Sequence, residues 1–165
     1  MSKKEEKTNV MRVLEQKGIP FTPHTYPHED GVAVDGVTVA RSMGQDPECV
    51  FKTLVARGAS KGIYVFEVPV AESLDLKKAA KAAGVKSVAM IHVADINKVT
   101  GYIRGGCSPV GMKKQFVTVY DESCLAQPTI MVSGGRIGTQ VECAPADLIK
   151  VTHGKTAAIT QEHQA

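Results

Sequence analysis

Two runs of β-branched and aromatic residues, 50–57 and 63–69, are separated only by Gly58-Ala59-Ser60-Lys61-Gly62. Such runs favour extended backbone, and a short glycine-bounded connection between them predicts an antiparallel hairpin with a long turn. The hairpin then decides which side chains share a face. Period-two alternation groups Lys52 with Val50, Leu54 and Ala56, turns Phe51, Thr53 and Val55 the other way, and puts Glu67 on one face with Ile63 and Val65. Lys52 is the anomaly, an ammonium inside an apolar strand with no counter-charge nearby in sequence. Removing its water without compensation is costly, so it either snorkels to the rim of the sheet or lines a cleft where a ligand supplies the negative charge.

The rest of the chain supplies elements to pack on this hairpin. Ser2-x-x-Glu5 reads as a capping box for a helix carrying Val10, Met11, Val13 and Leu14, stopped by Gly18 and Pro20. A short strand over 21–26 and a helix over about 36–43 precede the hairpin. After it come a helix over 76–83, with Asp75 as N-cap and Gly84 beyond its end, a strand over 88–91 and a short helix over 94–99. Strands over 116–120, 129–133 and 139–143 follow, then a helix opened by Pro145. From about Thr156 the chain reads as a polar, frayed tail. Strands outnumber helices and come partly in consecutive pairs, which predicts an α+β domain with a mixed or antiparallel sheet. One domain over residues 1–165, with its core in about 9–151, accounts for the whole chain.

Composition narrows the function classes. At 43% hydrophobic and 22% charged residues the chain is an ordinary globular one. No apolar run reaches the roughly 18 residues of a membrane span, and the polar, mixed-charge start lacks a signal-peptide core, which predicts a cytoplasmic protein without membrane association. Cys49, Cys107, Cys124 and Cys143 are irregularly spaced, and Pro23 and Pro27 interrupt any helix that would align His24 with His28, so no metal site is expected. A net charge of +3 does not by itself argue for nucleic acid. Lys98, Arg104, Lys113 and Lys114, however, surround a glycine-rich loop, Gly101-Tyr102-Ile103-Arg104-Gly105-Gly106-Cys107-Ser108-Pro109-Val110-Gly111, and suit a phosphate-rich partner there. Lys77, Lys78, Lys81 and Lys86 suit either such a partner or a solvated helix face. With aromatics at 5% and no tryptophan, a broad base-stacking platform is not expected.

The loop matches neither a Walker pattern, since Met112 follows Gly111, nor Gly-x-Gly-x-x-Gly. Gly105 and Gly106 would let the main chain approach a ligand, and Pro109 would stiffen the turn so that neighbouring N–H groups face an oxygen, as an ester's oxyanion requires. A plain structural turn is the alternative. Cys107 is a candidate nucleophile, but no histidine motif accompanies it, and neither Ser108 nor Ser133 lies in a nucleophile elbow.

Taken in order, His24-Thr25-Tyr26, Phe51-Lys52-Thr53-Leu54, the lysine-rich helix at 76–81, the glycine loop with Ser108-Pro109, and Ser133-Gly134-Gly135 resemble the YbaK/EbsC family, free-standing relatives of the editing domain inserted in bacterial prolyl-tRNA synthetases. The likeness spans about Asn9 to Val151. It implies a mixed, largely antiparallel, barrel-like twisted sheet flanked by helices. It also implies hydrolysis of the ester between a wrong amino acid and tRNA, most often cysteine on tRNA(Pro), without a cofactor. A synthetase pocket rejects a near-isostere poorly, hence the need for a second site. By resemblance, Lys52 anchors the substrate's 3′ end and the amides around Gly105, Gly106, Cys107 and Ser108 cradle the ester. Tyr26, Thr53, Pro109, Ser133 and Gly134 complete the substrate pocket. The resemblance suggests prolyl-tRNA synthetase as a partner and is compatible with a monomer. Asp35, where some relatives carry an aromatic, and Gln140 are departures that leave open which small amino acid is removed, with alanine the alternative to cysteine; a non-catalytic tRNA- or synthetase-binding module that kept the fold is the other alternative.

Overall fold

The computed structural model describes residues 7–162. In chain order the first elements are α1 (Asn9–Gln16), β1 (Thr22–Thr25), α2 (Gly36–Ser42), β2 (Phe51–Gly58), β3 (Ile63–Pro69), α3 (Leu76–Ala83) and β4 (Val88–Met90). They are followed by α4 (Ile96–Thr100), β5 (Val117–Asp121), β6 (Ile130–Ser133), β7 (Thr139–Cys143), α5 (Pro145–Val151) and β8 (Lys155–Ala157). The proposed capping box at Ser2 lies outside the described residues; the cap observed on α1 is Thr8, whose hydroxyl accepts from the Met11 amide at 3.2 Å. Asp75 caps α3 by accepting from Lys77 and Lys78, and Gly84, at φ 76°, ends it in the left-handed conformation that favours glycine.

The hairpin of β2 and β3 is the spine of a five-stranded sheet ordered β4-β2-β3-β5-β8. Its β4-β2 and β2-β3 pairs are antiparallel, whereas β3-β5 and β5-β8 are parallel. A second, three-stranded sheet, β1-β7-β6, is antiparallel throughout. Among the described residues the two sheets are joined by a single parallel bridge, Val50 to Met131, and do not close into the barrel-like sheet expected. The reason is local. Beyond Val50 the outer edge of β2 leaves β6, and β4 takes it up only at Ala56, with the Ile91 amide bonded to the Val55 carbonyl. The edge at Lys52 to Leu54 therefore faces the gap between the sheets.

Among the described residues three apolar clusters form the core. Val10, Met11 and Leu14 of α1 pack with Phe51, Tyr120, Val132, Val141 and Leu148. Ala79 and Ala80 of α3 pack on the opposite face of the large sheet with Phe66, Val68 and Val119. A small cluster of Ala40, Val50, Val70 and Met131 secures α2 beside the bridge. The expected frayed tail is also corrected: residues 155–157 add a strand to β5, and Ile159 is fully buried. Its amide donates to Asp121 at 3.1 Å and its carbonyl accepts from Asp75 at 2.8 Å. The apolar Ala157-Ala158-Ile159 within that polar stretch is what the large sheet captures. Among the described residues no helix is long and apolar enough to cross a membrane.

Candidate active site

Where the sheets part, a cleft of about 120 Å³ opens. Its lining draws on both sheets: Phe51, Lys52 and Thr53 from β2, Gln140 and Ser133 from the small sheet, and Tyr26 just after β1. Gly105 and Cys107 of the glycine loop form another wall. Val34, Val39, Val50 and Val70 make the apolar remainder.

Lys52 is half-buried, and burial lowers its pKa, with the negative charge of Glu72 opposing the shift. The cleft alternative for this lysine is the one the structure adopts. Its ammonium is held at a partly dry wall where an anionic or strongly polar ligand is favoured.

The glycine loop is pinned at both ends. Thr100 accepts from the Tyr102 amide, and the Tyr102 hydroxyl donates to the Val110 carbonyl. Gly105, at φ 87°, seats against Ala33, and a Cβ on Gly106 would meet Arg136 Cα at 2.9 Å. These glycines are what allow the loop to press against the hairpin between β6 and β7. The Gly106 amide is spent within the turn, donating to Ile103 at 2.9 Å. The amides of Gly105 and Cys107 have no backbone carbonyl partner among the described residues, and both residues border the cleft. Of the loop residues expected to cradle the ester, Gly105 and Cys107 thus border the cleft with amides not engaged by backbone carbonyls among the described residues, whereas the Gly106 amide is engaged.

The other sequence candidates divide by location. Ser108 is fully buried, its hydroxyl accepting from the Val110 amide, so it shapes the loop from inside. Pro109 and Gly134 are likewise not in the cleft wall; Gly134 donates to Thr139 in the β6-β7 turn. Ser133 borders the cleft while its hydroxyl accepts from the Gly135 amide. Cys107 is poorly suited to nucleophilic attack: burial pushes its thiol up to about 12, despite a weak contact with the Thr100 hydroxyl, and the Glu67 charge adds to the rise. Asp35 does not reach the cleft. It is the exposed N-cap of α2, accepting from the Thr38 amide and hydroxyl, and those bonds lower its pKa. Gln140 does reach it, 6% exposed and with its carbonyl oxygen unpartnered among the described residues. The four valines escaped the sequence reading because they come from separate segments. Glu67 escaped it too, although a carboxylic acid alternating with Ile63 and Val65 was a visible signal. Among the described residues no group of three or more His, Cys, Asp or Glu side chains is placed to hold a metal ion.

Residues 32–151 match the aminoacyl-tRNA editing domain family. Over 159 residues the chain is 44% identical to EbsC of Enterococcus faecalis, a proposed Cys-tRNA(Pro)/Cys-tRNA(Cys) deacylase, with 96% of each chain covered. The fold superimposes on a proposed trans-editing enzyme for prolyl-tRNA synthetase with a TM-score of 0.78 at 24% identity, covering 93% of this chain and 95% of the other. A scaffold protein used for computational epitope grafting gives a TM-score of 0.80 at 24% identity, covering 93% and 96%. This chain, with a basic-rimmed glycine loop facing a half-buried lysine across a small cleft, belongs to the YbaK/EbsC family of aminoacyl-tRNA editing domains.

Proposed function

We propose that this protein hydrolyses the ester of mischarged tRNA(Pro), with cysteine the first amino acid to test and alanine the second. The observation that carries the reading is Lys52 in the wall of a cleft that Gly105 and Cys107 also line, their amides without a backbone carbonyl partner among the described residues. Lys52 holds the negatively charged 3′ end of the tRNA, and a lysine so engaged stays protonated and is a poor base. The two amides receive the carbonyl oxygen as it gains charge. Attack on the carbonyl carbon comes from water or from the thiol of the bound cysteinyl group. The bond to the ribose oxygen then breaks, and that oxygen takes up the proton the attacking group gives up. Fixing and polarising the ester supplies the acceleration by proximity and charge stabilisation.

Exposed Arg104, Lys113 and Lys114 beside the loop suit the phosphates that precede the terminal ribose. Tyr26, Thr53, Ser133 and Gln140 line the part of the cleft left for the amino acid, and the valines limit its size. Prolyl-tRNA synthetase is the partner that would bring the correct tRNA.

The test is release of amino acid from purified Cys-tRNA(Pro) and Ala-tRNA(Pro) by the wild type, Lys52→Ala and Cys107→Ser. Hydrolysis by the wild type that is lost in the Lys52 variant and kept in the Cys107 variant supports the reading. No hydrolysis of either ester, with prolyl-tRNA synthetase added, overturns it.

A further inference from the structure

A row of cross-strand neighbours runs from the cleft into the core: Thr53 on β2, Glu67 on β3 and Tyr120 on β5. Residues directly opposed across strands present their side chains on one face, so these three stand side by side. Thr53 borders the cleft, Tyr120 is fully buried, and Glu67 between them is 0% exposed. Neither carboxyl oxygen of Glu67 nor the Thr53 hydroxyl makes a well-formed hydrogen bond among the described residues, and the Thr53 hydroxyl is the polar side-chain group near enough to act on the Glu67 carboxyl.

A carboxyl in that position costs stability in either protonation state, and far more when charged. Valine or isoleucine would suit the strand and the surrounding core better. A residue that breaks the local rules at the back of a cleft points to function. Burial raises the Glu67 pKa well above the usual carboxylate range, and the neighbouring Thr53 hydroxyl moderates the rise. Burial thus favours the protonated form, which offers both an O–H donor and a carbonyl acceptor.

We propose that Glu67 is a positioning residue for the deacylation site: from behind the cleft its carboxyl orients the Thr53 hydroxyl. The inference rests on the deacylase reading above. A threonine hydroxyl rotates freely and presents to the cleft whichever of its proton or lone pairs its neighbour leaves unused. Glu67, lying directly across the strand, makes that choice, and so fixes the polarity that the aminoacyl ester meets at this wall.

Glu67→Val and Glu67→Gln test it, with kcat and KM for Cys-tRNA(Pro) separated and urea unfolding followed on the same preparations. Glu67→Val lowers kcat by about tenfold while KM changes by less than about twofold, as misplacement of a site group does. Its unfolding midpoint equals or exceeds that of the wild type, because a buried carboxyl has been removed. Glu67→Gln, which keeps a donor and an acceptor, stays within about threefold of wild-type kcat. Wild-type kcat in Glu67→Val, equal damage in both variants, or a loss that tracks unfolded protein overturns the proposal. Should Glu67→Val fail to fold, Thr53→Val carries the test. Its kcat falls, and adding Glu67→Gln lowers it no further; an unchanged kcat, or a further fall on adding Glu67→Gln, overturns the proposal. A wild type without hydrolysis removes the deacylase reading and this role with it, whereas an active wild type with an unaffected Glu67→Val removes this role alone.

Discussion

Two buried polar clusters share one row of the large sheet, and they differ in how completely their hydrogen bonds are made. At the inner end the Tyr120 hydroxyl lies 3.2 Å from the Leu148 carbonyl and 2.9 Å from the Thr152 hydroxyl, which itself donates to Leu148 at 2.8 Å. That cluster ties α5 to β5 and leaves nothing over. At the outer end the Thr53 hydroxyl and both Glu67 oxygens make no well-formed hydrogen bond among the described residues, and across the cleft the same holds for the Gln140 carbonyl oxygen. Polar groups buried for structure are normally satisfied within the fold. Those gathered at the cleft, like the Ser123 hydroxyl elsewhere, are left unpartnered among the described residues, and at the cleft that capacity suits the ester of the proposed reaction.

Removing the charged group of the cleft, beside the outer cluster, gives the largest effect. Lys52→Ala is expected to lower kcat/KM by at least about a hundredfold, the loss of roughly 3 kcal/mol of transition-state stabilisation, with the fold retained by circular dichroism. The pH profile sharpens this. Burial lowers the Lys52 pKa from the ordinary 10.5, so activity that needs the ammonium falls as pH rises through a value below 10.5. Over the same interval the unfolded chain holds the proton that the folded one has released, so stability rises with pH. Rates corrected for uncatalysed ester hydrolysis, compared with unfolding midpoints across that range, check both directions.

Gly106→Ala is expected to come next, because its Cβ would fall 2.9 Å from Arg136 Cα and 3.1 Å from the Ile137 amide. Backbone cannot yield there cheaply, so the loop shifts and kcat drops by about ten- to a hundredfold, the scale of an ångström's misplacement. Full activity in that variant would show that the loop does not hold the ester. Glu67→Val, at about tenfold in kcat, sits below it. Tyr120→Phe probes the inner cluster instead. It is expected to cost about 1 kcal/mol of stability in urea and leave kcat unchanged, since Thr152 keeps its bond to Leu148. A kcat loss in Tyr120→Phe would erase the distinction between the two clusters. Cys107→Ser should have the smallest effect on activity, as a thiol pushed up to about 12 supplies little thiolate, and treatment with a thiol reagent should leave turnover in place.

Much of the fold was legible. The hairpin of β2 and β3, the Asp75 and Gly84 ends of α3, and the strand at 139–143 rest on alternation and capping, which are local. Sheet closure was not legible, because it depends on β2 and β6 parting after one bridge. Nor was the fate of the last residues: Thr156 looks like tail until β5 offers an edge. In the site, Lys52, Thr53, Tyr26, Gly105, Cys107 and Ser133 meet at one cleft. Gly106, Ser108, Pro109 and Gly134 do their work behind its walls, a distinction that motif spacing does not carry.

The sequence by itself determined the elements, the faces of the hairpin and, through an ordered set of motifs, the family. These depend on periodicity and turn chemistry within a few residues of each other. Only the tertiary structure decided that Lys52 faces a cleft rather than the rim, that Asp35 is a helix cap while Gln140 enters the pocket, and that Glu67 is a fully buried acid beside Thr53 of the cleft wall. Burial and hydrogen-bond satisfaction are properties of neighbours brought together from distant parts of the chain, and no local pattern encodes which neighbours those will be.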